Sequence, residues 1–543
     1  MTDPLLRVRD LSVRFGTGRF GDVTAVRDIG FDLEPGRCVA LVGESGSGKS
    51  VTGRSLLGLT GPGATVTAGE LSLRGRDLRA LTPAQWREVR GRDVGLVLQD
   101  ALVSLDPLVP VGPQVSDTLR VHERTARAER RERAIELLAQ VGVPEPELRA
   151  AQYPHELSGG LRQRALIASA VAGSPAVLVA DEPTTALDVT VQAQVLALLA
   201  ELRRGGTGLL LISHDLAVVA SLADEIIILR EGEVVERGTA DEVLRFPRHE
   251  YTRELLAAVP SATSRGTRLS RQPVAVFDRA PRPRNEAVSD TPALEATGLT
   301  MHYPRPGGGL TRVLDDVSFT LPRGATLGIV GESGSGKSTT ASIALGLLTP
   351  DAGEVRLHGR PWSTLPERRR RRLRHSIQFI SQDPLGSFDP RDHVEGLLTE
   401  ALATVRVPRG ERRDRAAHLL EQVGLGPAVL SRHPLELSGG QRQRVAISRA
   451  LATEPDILVC DEPVSALDVS IQAQVLDLLG DMQRQLAVSL LFISHDLGVI
   501  RHVTDDVVVM RHGRIVERGR TEDVFCSPQH PYTRELIGAI PVL

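Results

Sequence analysis

Two identical octapeptides in this chain contain residue types that can bind phosphate. The sequence GESGSGKS occupies residues 43–50 and again residues 331–338, each time after a short apolar run. Successive backbone N–H groups of such a loop, with the N-terminus of the helix that follows, form a nest for a phosphate group. The lysine can then reach phosphate oxygens and the last serine can ligate Mg²⁺. These roles fall to Lys49 and Ser50, and to Lys337 and Ser338.

Lysine occurs nowhere else in the chain, although 65 residues are basic. A GC-rich genome explains why lysine is rare, but not why both lysines stand in these loops. A guanidinium group is larger than an ammonium group and cannot act as a compact point charge inside a tight glycine loop. The positions of Lys49 and Lys337 therefore favour phosphate binding, at two places.

Acidic pairs and histidines follow further apolar runs in the same order in each half. In Asp181-Glu182 and Asp461-Glu462 the aspartate could hold Mg²⁺ through water and the glutamate could polarise a hydrolytic water. A histidine stands between serine and aspartate further on, and its recurrence in both halves favours a role in the reaction. These histidines are His214 and His495.

The sequence Leu-Ser-Gly-Gly, at 157–160 and 437–440, predicts a second anion-binding element in each half. Serine at a helix N-cap with two glycines behind it exposes the N-terminus of that helix to a ligand. The residues concerned are Ser158, Gly159 and Gly160, and Ser438, Gly439 and Gly440.

Composition restricts the class of protein. A chain of 543 residues is too long for one core, and its apolar content of 41% is that of an ordinary globular protein. A net charge of −3 argues against nucleic-acid binding. The chain has no apolar run of the ~18–20 residues that cross a bilayer. Its first residues lack the basic and apolar regions of a secretion signal, so we expect that it is not secreted. Three widely spaced cysteines argue against a zinc or iron–sulfur site and for a reducing cytoplasm.

The motifs recur after about 280 residues, so one whole domain is duplicated. We predict a first domain at 1–260, a flexible linker rich in proline and arginine at 261–293, and a second domain at 294–543. Within the first copy, buried strands are predicted at 38–42, 177–180 and 209–212, with helices from 49, within 116–150 and at 192–202. This alternation predicts an α/β domain with a mostly parallel sheet.

The P-loop, Leu-Ser-Gly-Gly-x-x-Gln-Arg, Asp-Glu and His, in this order, resemble the nucleotide-binding domain of ATP-binding cassette (ABC) transporters. The resemblance covers each copy nearly end to end. It implies two tandem P-loop NTPase domains, each with a mostly parallel core sheet, an antiparallel β subdomain and a helical signature subdomain. It also implies an ATPase that uses ATP and Mg²⁺, with Glu182, Glu462, His214 and His495 in catalysis.

The family pattern assigns further residues. Gln99 and Gln382 match the Q-loop glutamine, which contacts Mg²⁺ and couples to the membrane partner. Phe15 and Tyr303 stand equally far before their lysines, as the aromatic that stacks on adenine does, although each could equally belong to a core. Segments 186–188 and 466–468 resemble the D-loop. The implied metal ligands are Ser50, Gln99, Asp181, Ser338, Gln382 and Asp461, and the remaining nucleotide contacts are Gly43, Ser45, Gly46, Gly48, Gly331, Ser333, Gly334 and Gly336.

In this family two domains pair head to tail, so that each ATP lies between one P-loop and the signature helix of the other domain. The resemblance therefore implies that Lys49 and its neighbours share a site with 438–440, and that Lys337 and its neighbours share one with 158–160. Leu161 replaces the glutamine found at 441, but no Mg²⁺ ligand, base or histidine is lost. We expect two competent sites, of which the one using the Leu161-bearing signature is the slower.

The segments 99–107, 153–160 and 382–391, with the tail motif His-x-Tyr-Thr-Arg-Glu-Leu of both copies, resemble the dipeptide/oligopeptide/nickel importer branch. This implies a peripheral protein at the cytoplasmic face of the membrane, with two transmembrane permease subunits and an extracytoplasmic substrate-binding protein as partners. Di- or oligopeptides are the favoured cargo, with nickel, opine and glutathione left open.

Two other classes of ABC ATPase are alternatives, and the first of them, a soluble twin-cassette protein acting in translation, would also lack membrane spans. A protein acting in translation would carry a long basic helical linker and no such tail, and a DNA-repair ATPase would insert zinc-binding cysteines or long coiled coils. The arginine run at 368–372 lacks interleaved aromatic residues, so it predicts a solvated face and no nucleic-acid contact.

Overall fold

The computed structural model describes residues 3–16, 21–99, 104–123, 125–185, 187–277, 291–304, 309–465 and 467–540. The chain forms two compact units. Unit 1 contains the residues up to Leu256, and unit 2 contains Ala257–Ile540.

Unit 1 contains eleven strands and eleven helices among its described residues. The strands are β1 (Leu6–Gly16), β2 (Asp22–Leu33), β3 (Cys38–Val42), β4 (Ala64–Thr67), β5 (Glu70–Leu73), β6 (Arg76–Asp77), β7 (Val94–Val97), β8 (Val177–Asp181), β9 (Gly208–Ile212), β10 (Glu225–Arg230) and β11 (Glu233–Thr239). The helices are α1 (Lys49–Ser55), α2 (Pro83–Val89), α3 (Val111–Val115), α4 (Asp117–His122), α5 (Arg127–Gln140), α6 (Pro146–Ala151), α7 (Gly159–Val171), α8 (Val189–Arg204), α9 (Leu216–Leu222), α10 (Ala240–Arg245) and α11 (Glu250–Ala257).

The strands of unit 1 form two sheets. The core sheet has the order β11-β10-β3-β9-β8-β7 and is parallel except at β11. The other sheet, β2-β1-β5-β6 with β4 beside β1, is antiparallel. Strands β3, β8 and β9 are buried along their whole length, which explains their continuous apolar runs. Helix α1 contacts strands of both sheets, so the first glycine loop opens beside the main core.

Unit 2 repeats this architecture. Its strands are β12 (Leu294–Pro304), β13 (Leu310–Leu321), β14 (Thr326–Val330), β15 (Ala352–Leu357), β16 (Arg360–Pro361), β17 (Ile377–Ile380), β18 (Ile457–Asp461), β19 (Ser489–Ile493), β20 (Asp506–Arg511) and β21 (Arg514–Arg520). Its helices are α12 (Lys337–Ala344), α13 (Glu367–Arg370), α14 (Val394–Thr404), α15 (Arg412–Gln422), α16 (Gly439–Leu451), α17 (Val469–Leu486), α18 (Leu497–Val503), α19 (Thr521–Cys526) and α20 (Pro531–Gly538). The core sheet has the order β17-β18-β19-β14-β20-β21, and the antiparallel sheet has the order β13-β12-β15-β16.

Each unit therefore has the predicted mostly parallel core sheet, an antiparallel sheet and a helical region, which confirms the fold class. The helices of that region in unit 1 are α3–α7, where the sequence predicts a helical insertion at 116–150. Within the described parts of the chain, no helix is both long and apolar enough to span a membrane.

Within the predicted flexible linker at 261–293, residues 261–277 contact unit 2, and residues 268–277 of these lie against α17. The buried carboxylate of Asp477 accepts hydrogen bonds from the backbone N–H groups of Leu269 and Ser270, at 3.1 and 2.9 Å. Asp481, also buried, accepts from Arg268 Nη1 at 2.8 Å and from Ala275 N at 3.0 Å. The partners lie some 200 residues apart in sequence, so local periodicity does not reveal them. Residues 278–290 lie outside the described residues.

The ion pair between Arg268 and Asp481 predicts that the stability of unit 2 depends on pH. Burial alone would raise the pKa of Asp481, but Arg268, the N–H of Ala275 and Arg484 outweigh it and lower that pKa. The contribution of the ion pair is therefore present above the unfolded-state pKa of about 3.9 and is lost as pH falls through the lower folded-state pKa. We expect Arg268→Ala to reduce the free energy of unfolding of unit 2 by about 1–3 kcal/mol at pH 7, measured by denaturant unfolding, and by less below about pH 4.

Arg265→Ala is the matched control, because Arg265 lies in the same segment and pairs with the half-exposed Asp505. Its effect should be under about 1 kcal/mol. Equal effects of the two substitutions would contradict the assignment of the docking energy to the buried pair.

Candidate active sites

The first glycine loop lies between β3 and α1, and its backbone path requires glycine. Gly43 has φ 155° and Gly48 has φ 98°. A Cβ atom at Gly43 would collide with the carbonyl oxygen of Leu229, and one at Gly48 with that of Ala25. The loop of unit 2 has the same geometry, with φ 152° at Gly331. Both loops therefore require glycine at these positions, and a glycine-rich loop that leads into a helix N-terminus is the arrangement that binds phosphate.

Each loop holds its lysine in a buried position. The Lys49 side chain is 5% exposed, and its Nζ donates to the carbonyl oxygens of Gly43 and Glu44 at 2.7 Å each. Lys337 is 7% exposed, and its Nζ donates to Gly331 and Glu332 at 2.7 and 2.9 Å. The ammonium groups thus lie inside the loops, where each can exchange a carbonyl partner for a phosphate oxygen.

An aspartate lies beside the serine of each loop and fits a magnesium site. Ser50 Oγ donates to Asp181 Oδ1 at 2.9 Å. In unit 2 the corresponding atom, Asp461 Oδ1, is buried without a hydrogen-bond partner among the described residues. Burial raises the pKa of both aspartates, and the hydroxyls of Ser50 and Ser338 oppose this only in part. A buried carboxylate oxygen without a partner is suited to a water bound to Mg²⁺.

Glu182 is held by side chains from three neighbouring strand ends. Gln99 Nε2 donates to Glu182 Oε2 at 2.7 Å, and Thr185 Oγ1 donates to the same oxygen at 3.1 Å. His214 Nδ1 lies 3.1 Å from Glu182 Oε1. Because β7, β8 and β9 are adjacent and parallel, the residues that follow them meet at one edge of the sheet.

Unit 2 repeats this cluster around Glu462. Gln382 Nε2 donates to Glu462 Oε2 at 2.8 Å, and His495 Nδ1 lies 3.0 Å from Glu462 Oε1. Both glutamates have φ 49°, a left-handed conformation that costs a residue with a side chain about 1–2 kcal/mol. Strain of this kind at the same residue of both copies is typical of a functional site.

Each glutamate and its histidine shift each other's pKa in opposite directions. Burial alone would raise the pKa of Glu182 and lower that of His214, but the hydrogen bond and charge of each partner outweigh burial. The pKa of Glu182 is consequently lowered and that of His214 is raised. Glu462 and His495 shift in the same directions for the same reason. The carboxylates are therefore ionised at neutral pH and able to accept a proton.

The signature helices differ between the copies in their first turn. Ser158 Oγ accepts from Leu161 N at 3.4 Å and Ser438 Oγ accepts from Gln441 N at 3.3 Å, so both serines are N-caps. Gln441 Oε1 also accepts from Ser438 N at 3.1 Å, which completes a capping box. Leucine at 161 cannot make this bond. The departure noted in the sequence thus has a structural consequence.

The glycines behind the N-cap serines allow the signature helices to lie close to a neighbouring helix. A Cβ atom at Gly160 would collide with Val191 of α8, and one at Gly440 with Ile471 of α17. Ser158 and Ser438 themselves are exposed. Each signature therefore presents an accessible helix N-terminus on a rigid support.

The two aromatic residues assigned to adenine differ in exposure. Phe15 is half-buried and packs against the core of unit 1, whereas Tyr303 is 37% exposed. Both lie near the ends of the long strands β1 and β12. Their stacking on adenine stays a prediction. Residues 100–103 of the first Q-loop and the D-loop residues Ala186 and Ala466 lie outside the described residues.

Sequence reasoning missed two tyrosines that contact the glycine loops. Glu44 N donates to Tyr251 Oη at 3.2 Å, and Glu332 N donates to Tyr532 Oη at 3.1 Å. The sequence signal for them is the tail motif His-x-Tyr-Thr-Arg-Glu-Leu, which recurs in both copies. Over the described part of the chain, no group of three or more His, Cys, Asp or Glu side chains could hold a metal ion by itself.

Comparison with known proteins identifies the class to which these sites belong. The ABC transporter family profile matches residues 26–185 and 314–465. A second profile, described as oligopeptide/dipeptide transporter, C-terminal region, matches residues 235–283 and 516–543. The chain belongs to the ABC transporter family, and it is an ABC-type ATPase with two ATP-binding cassettes.

Curated relatives match along the whole chain. The peptidoglycan transport ATP-binding protein of Agrobacterium fabrum is 44% identical, over 99% of this chain and 96% of that protein. The glutathione import ATP-binding protein of Escherichia coli K12 is 43% identical, over 99% of this chain and 90% of that protein. Among solved structures, a dimeric ATP-binding cassette bound to ADP and phosphate is 28% identical, with a TM-score of 0.40, over 42% of this chain and 98% of that chain.

The missing capping box generates a prediction for the first signature helix. We expect Leu161→Gln to add the second hydrogen bond to Ser158 and to stabilise the start of α7 by about 0.5–1 kcal/mol. Hydrogen exchange in the first turn of α7 should then slow by roughly two- to fivefold. The reciprocal Gln441→Leu is the matched control and should accelerate exchange at the start of α16. Unchanged exchange in both variants would show that the box does not stabilise these helices.

Proposed function

We propose that this chain is the ATP-hydrolysing subunit of an importer for di- or oligopeptides. The observation that carries this proposal is the match of both tail segments to the oligopeptide/dipeptide transporter C-terminal region. The relatives named for peptidoglycan transport and glutathione import support it, because both names denote molecules that contain short peptides. The chain would work at the cytoplasmic face of the membrane, with two permease subunits and an extracytoplasmic substrate-binding protein. The alternative of a role in translation finds no support in these comparisons.

We also propose that two composite sites form head to tail between the units, with one phosphate loop and the opposite signature serine at each. The N–H groups of the loop and the lysine would hold phosphate oxygens, and the N-terminus of the opposite signature helix would face the same phosphates. Mg²⁺–ATP, when bound, supplies the phosphoryl group and the charge-neutralising cation. Ser50, Gln99 and Asp181 would hold the metal in one site.

The glutamate would act as the base within each composite site. Glu182 Oε1 faces His214, and its lowered pKa keeps the carboxylate ionised and ready to take a proton from water. His214 orients this carboxylate, and Gln99 holds the other oxygen. Movement of Gln99 away from Glu182 would leave that oxygen with Thr185 as its partner, which would link the site to the segment that follows Gln99. Glu462, His495 and Gln382 would do the same in the second site.

Pairing of the units can be tested with double variants. We expect Glu182→Gln alone to cut turnover by about half or more, because loss of a general base slows the damaged site by roughly 10²–10⁴-fold. Adding Ser438→Arg would then cost little further, since both changes damage the same site. Adding Ser158→Arg instead would damage both sites and abolish turnover. Steady-state ATPase assays of the full chain measure all three.

The reciprocal set, built on Glu462→Gln, is the control. Single-turnover hydrolysis of Mg²⁺–ATP provides a second readout: we expect one hydrolysing site when Glu182→Gln is combined with Ser438→Arg, and none when it is combined with Ser158→Arg. If Ser158→Arg cost little in the Glu182→Gln background and Ser438→Arg abolished turnover, head-to-tail pairing would be disproved. Wild-type turnover of Glu182→Gln would instead show that the first site does not hydrolyse ATP.

The cargo can be tested through the substrate-binding protein. We expect the binding protein that works with this ATPase to carry a short peptide on purification, because the family of the tails transports peptides. Mass spectrometry of the released ligand identifies it. Stimulation of ATPase activity by the peptide-loaded binding protein, in vesicles with the permeases, would be several-fold above the unloaded protein. A nickel ion as the released ligand would contradict peptide import.

A further inference from the structure

The tail motif places a buried tyrosine in each unit against the glycine loop. Tyr251 lies on α11 and is 4% exposed, and Tyr532 lies on α20 and is 1% exposed. A buried phenol requires a hydrogen-bond partner. In both units that partner is the backbone N–H of the second residue of the loop, Glu44 or Glu332, at 3.2 and 3.1 Å.

The same loop residue is also held through its carbonyl group. Glu44 O accepts from Lys49 Nζ at 2.7 Å, and Glu332 O accepts from Lys337 Nζ at 2.9 Å. The tyrosine hydroxyl and the lysine ammonium therefore hold the two ends of one residue. Because the lysine must give up this carbonyl to reach a phosphate oxygen, the position of Glu44 affects the free energy of that exchange.

The tyrosine ring is itself fixed in place by an arginine. The guanidinium of Arg230 lies 5.0 Å from the centre of the Tyr251 ring, and that of Arg511 lies 4.5 Å from the Tyr532 ring. In contacts of this kind the cation is attracted to the face of the ring. Arg230 ends β10, directly after Leu229, whose carbonyl lies against the first glycine of the loop. The ring is thus clamped to the strand that borders the loop.

Hydrogen bonds from backbone N–H groups to side chains fix the turn before the tyrosine. His249 Nδ1 accepts from Tyr251 N at 3.2 Å, and His249 N donates to Glu236 Oε2 of β11 at 3.1 Å. Unit 2 has the same contacts through His530 and Glu517. The histidine and the tyrosine of the motif therefore act together: one anchors the tail to the last hairpin, and the other reaches the loop.

We propose that Tyr251 and Tyr532 are positioning residues for ATP binding, which act by holding the backbone of the phosphate loops. Each hydroxyl keeps the second loop residue, and through it the lysine, in the arrangement that receives phosphate. The proposal concerns the established ATPase activity and holds whichever substrate is imported and however the units pair.

The test removes only the hydroxyl groups, in the double variant Tyr251→Phe/Tyr532→Phe of the full chain. Titration with a fluorescent ATP analogue and Mg²⁺ should show a Kd raised about two- to tenfold, the factor expected for one lost hydrogen bond per loop. KM for ATP should rise by the same factor, with a smaller change in kcat. Hydrogen exchange of the segment 43–50 and of 331–338 should accelerate, while the rings and their arginine contacts remain.

A matched control separates positioning of the loop from packing of the tail. Leu255 and Leu536 are buried on the same two helices, and Leu255→Ala/Leu536→Ala should lower the unfolding temperature without raising Kd at temperatures where the protein is folded. This contrast would support the proposal. A wild-type Kd in the phenylalanine variant, or an equal rise of Kd in both double variants, would overturn it.

Discussion

Both candidate sites depend on the hydrogen-bonded register of the parallel strands in each core sheet. Asp181 lies opposite Ile212 across β8 and β9, Leu41 lies opposite the same isoleucine on β3, and Glu182 N donates to Ile212 O at 2.8 Å. Since all three strands are parallel, their carboxyl ends lie side by side at the same edge of the sheet. A shift of β8 by one residue would turn the aspartate to the other face and separate it from the serine of the loop.

Charge balance within the sites follows from this arrangement. The edge of the sheet brings an ammonium group, two carboxylates and a histidine, each buried or half-buried, together in each unit, which would be unfavourable for any one of them alone. Each charge has a partner: Lys49 the loop carbonyls, Asp181 the hydroxyl of Ser50, and Glu182 its histidine. The opposed pKa shifts of glutamate and histidine express this pairing. The strained backbone at Glu182 persists because these contacts and Ile212 hold it.

The two copies show which parts of the domain tolerate change. The glutamate clusters agree to within about 0.1 Å in their main distances, and the tail tyrosines reach their loops in both units. The signature helices differ, because one lacks a capping box. The segment after unit 1 docks on α17 through two aspartates, Asp477 and Asp481. These differences lie at a helix start and on one face of α17, and the glutamate clusters do not contain them.

The sequence by itself determined the duplication, the alternating elements and the residues of the loops, the acidic pairs and the histidines. It could do so because glycine-dependent loops, buried strands and N-caps are local: residues within one turn or strand dictate them. Tertiary structure alone decided that Gln99, Glu182 and His214 meet, that Tyr251 supports the loop, and that 261–277 docks on Asp477 and Asp481. These contacts join residues about 30 to 210 positions apart, and only packing of the strands and helices brings such partners together.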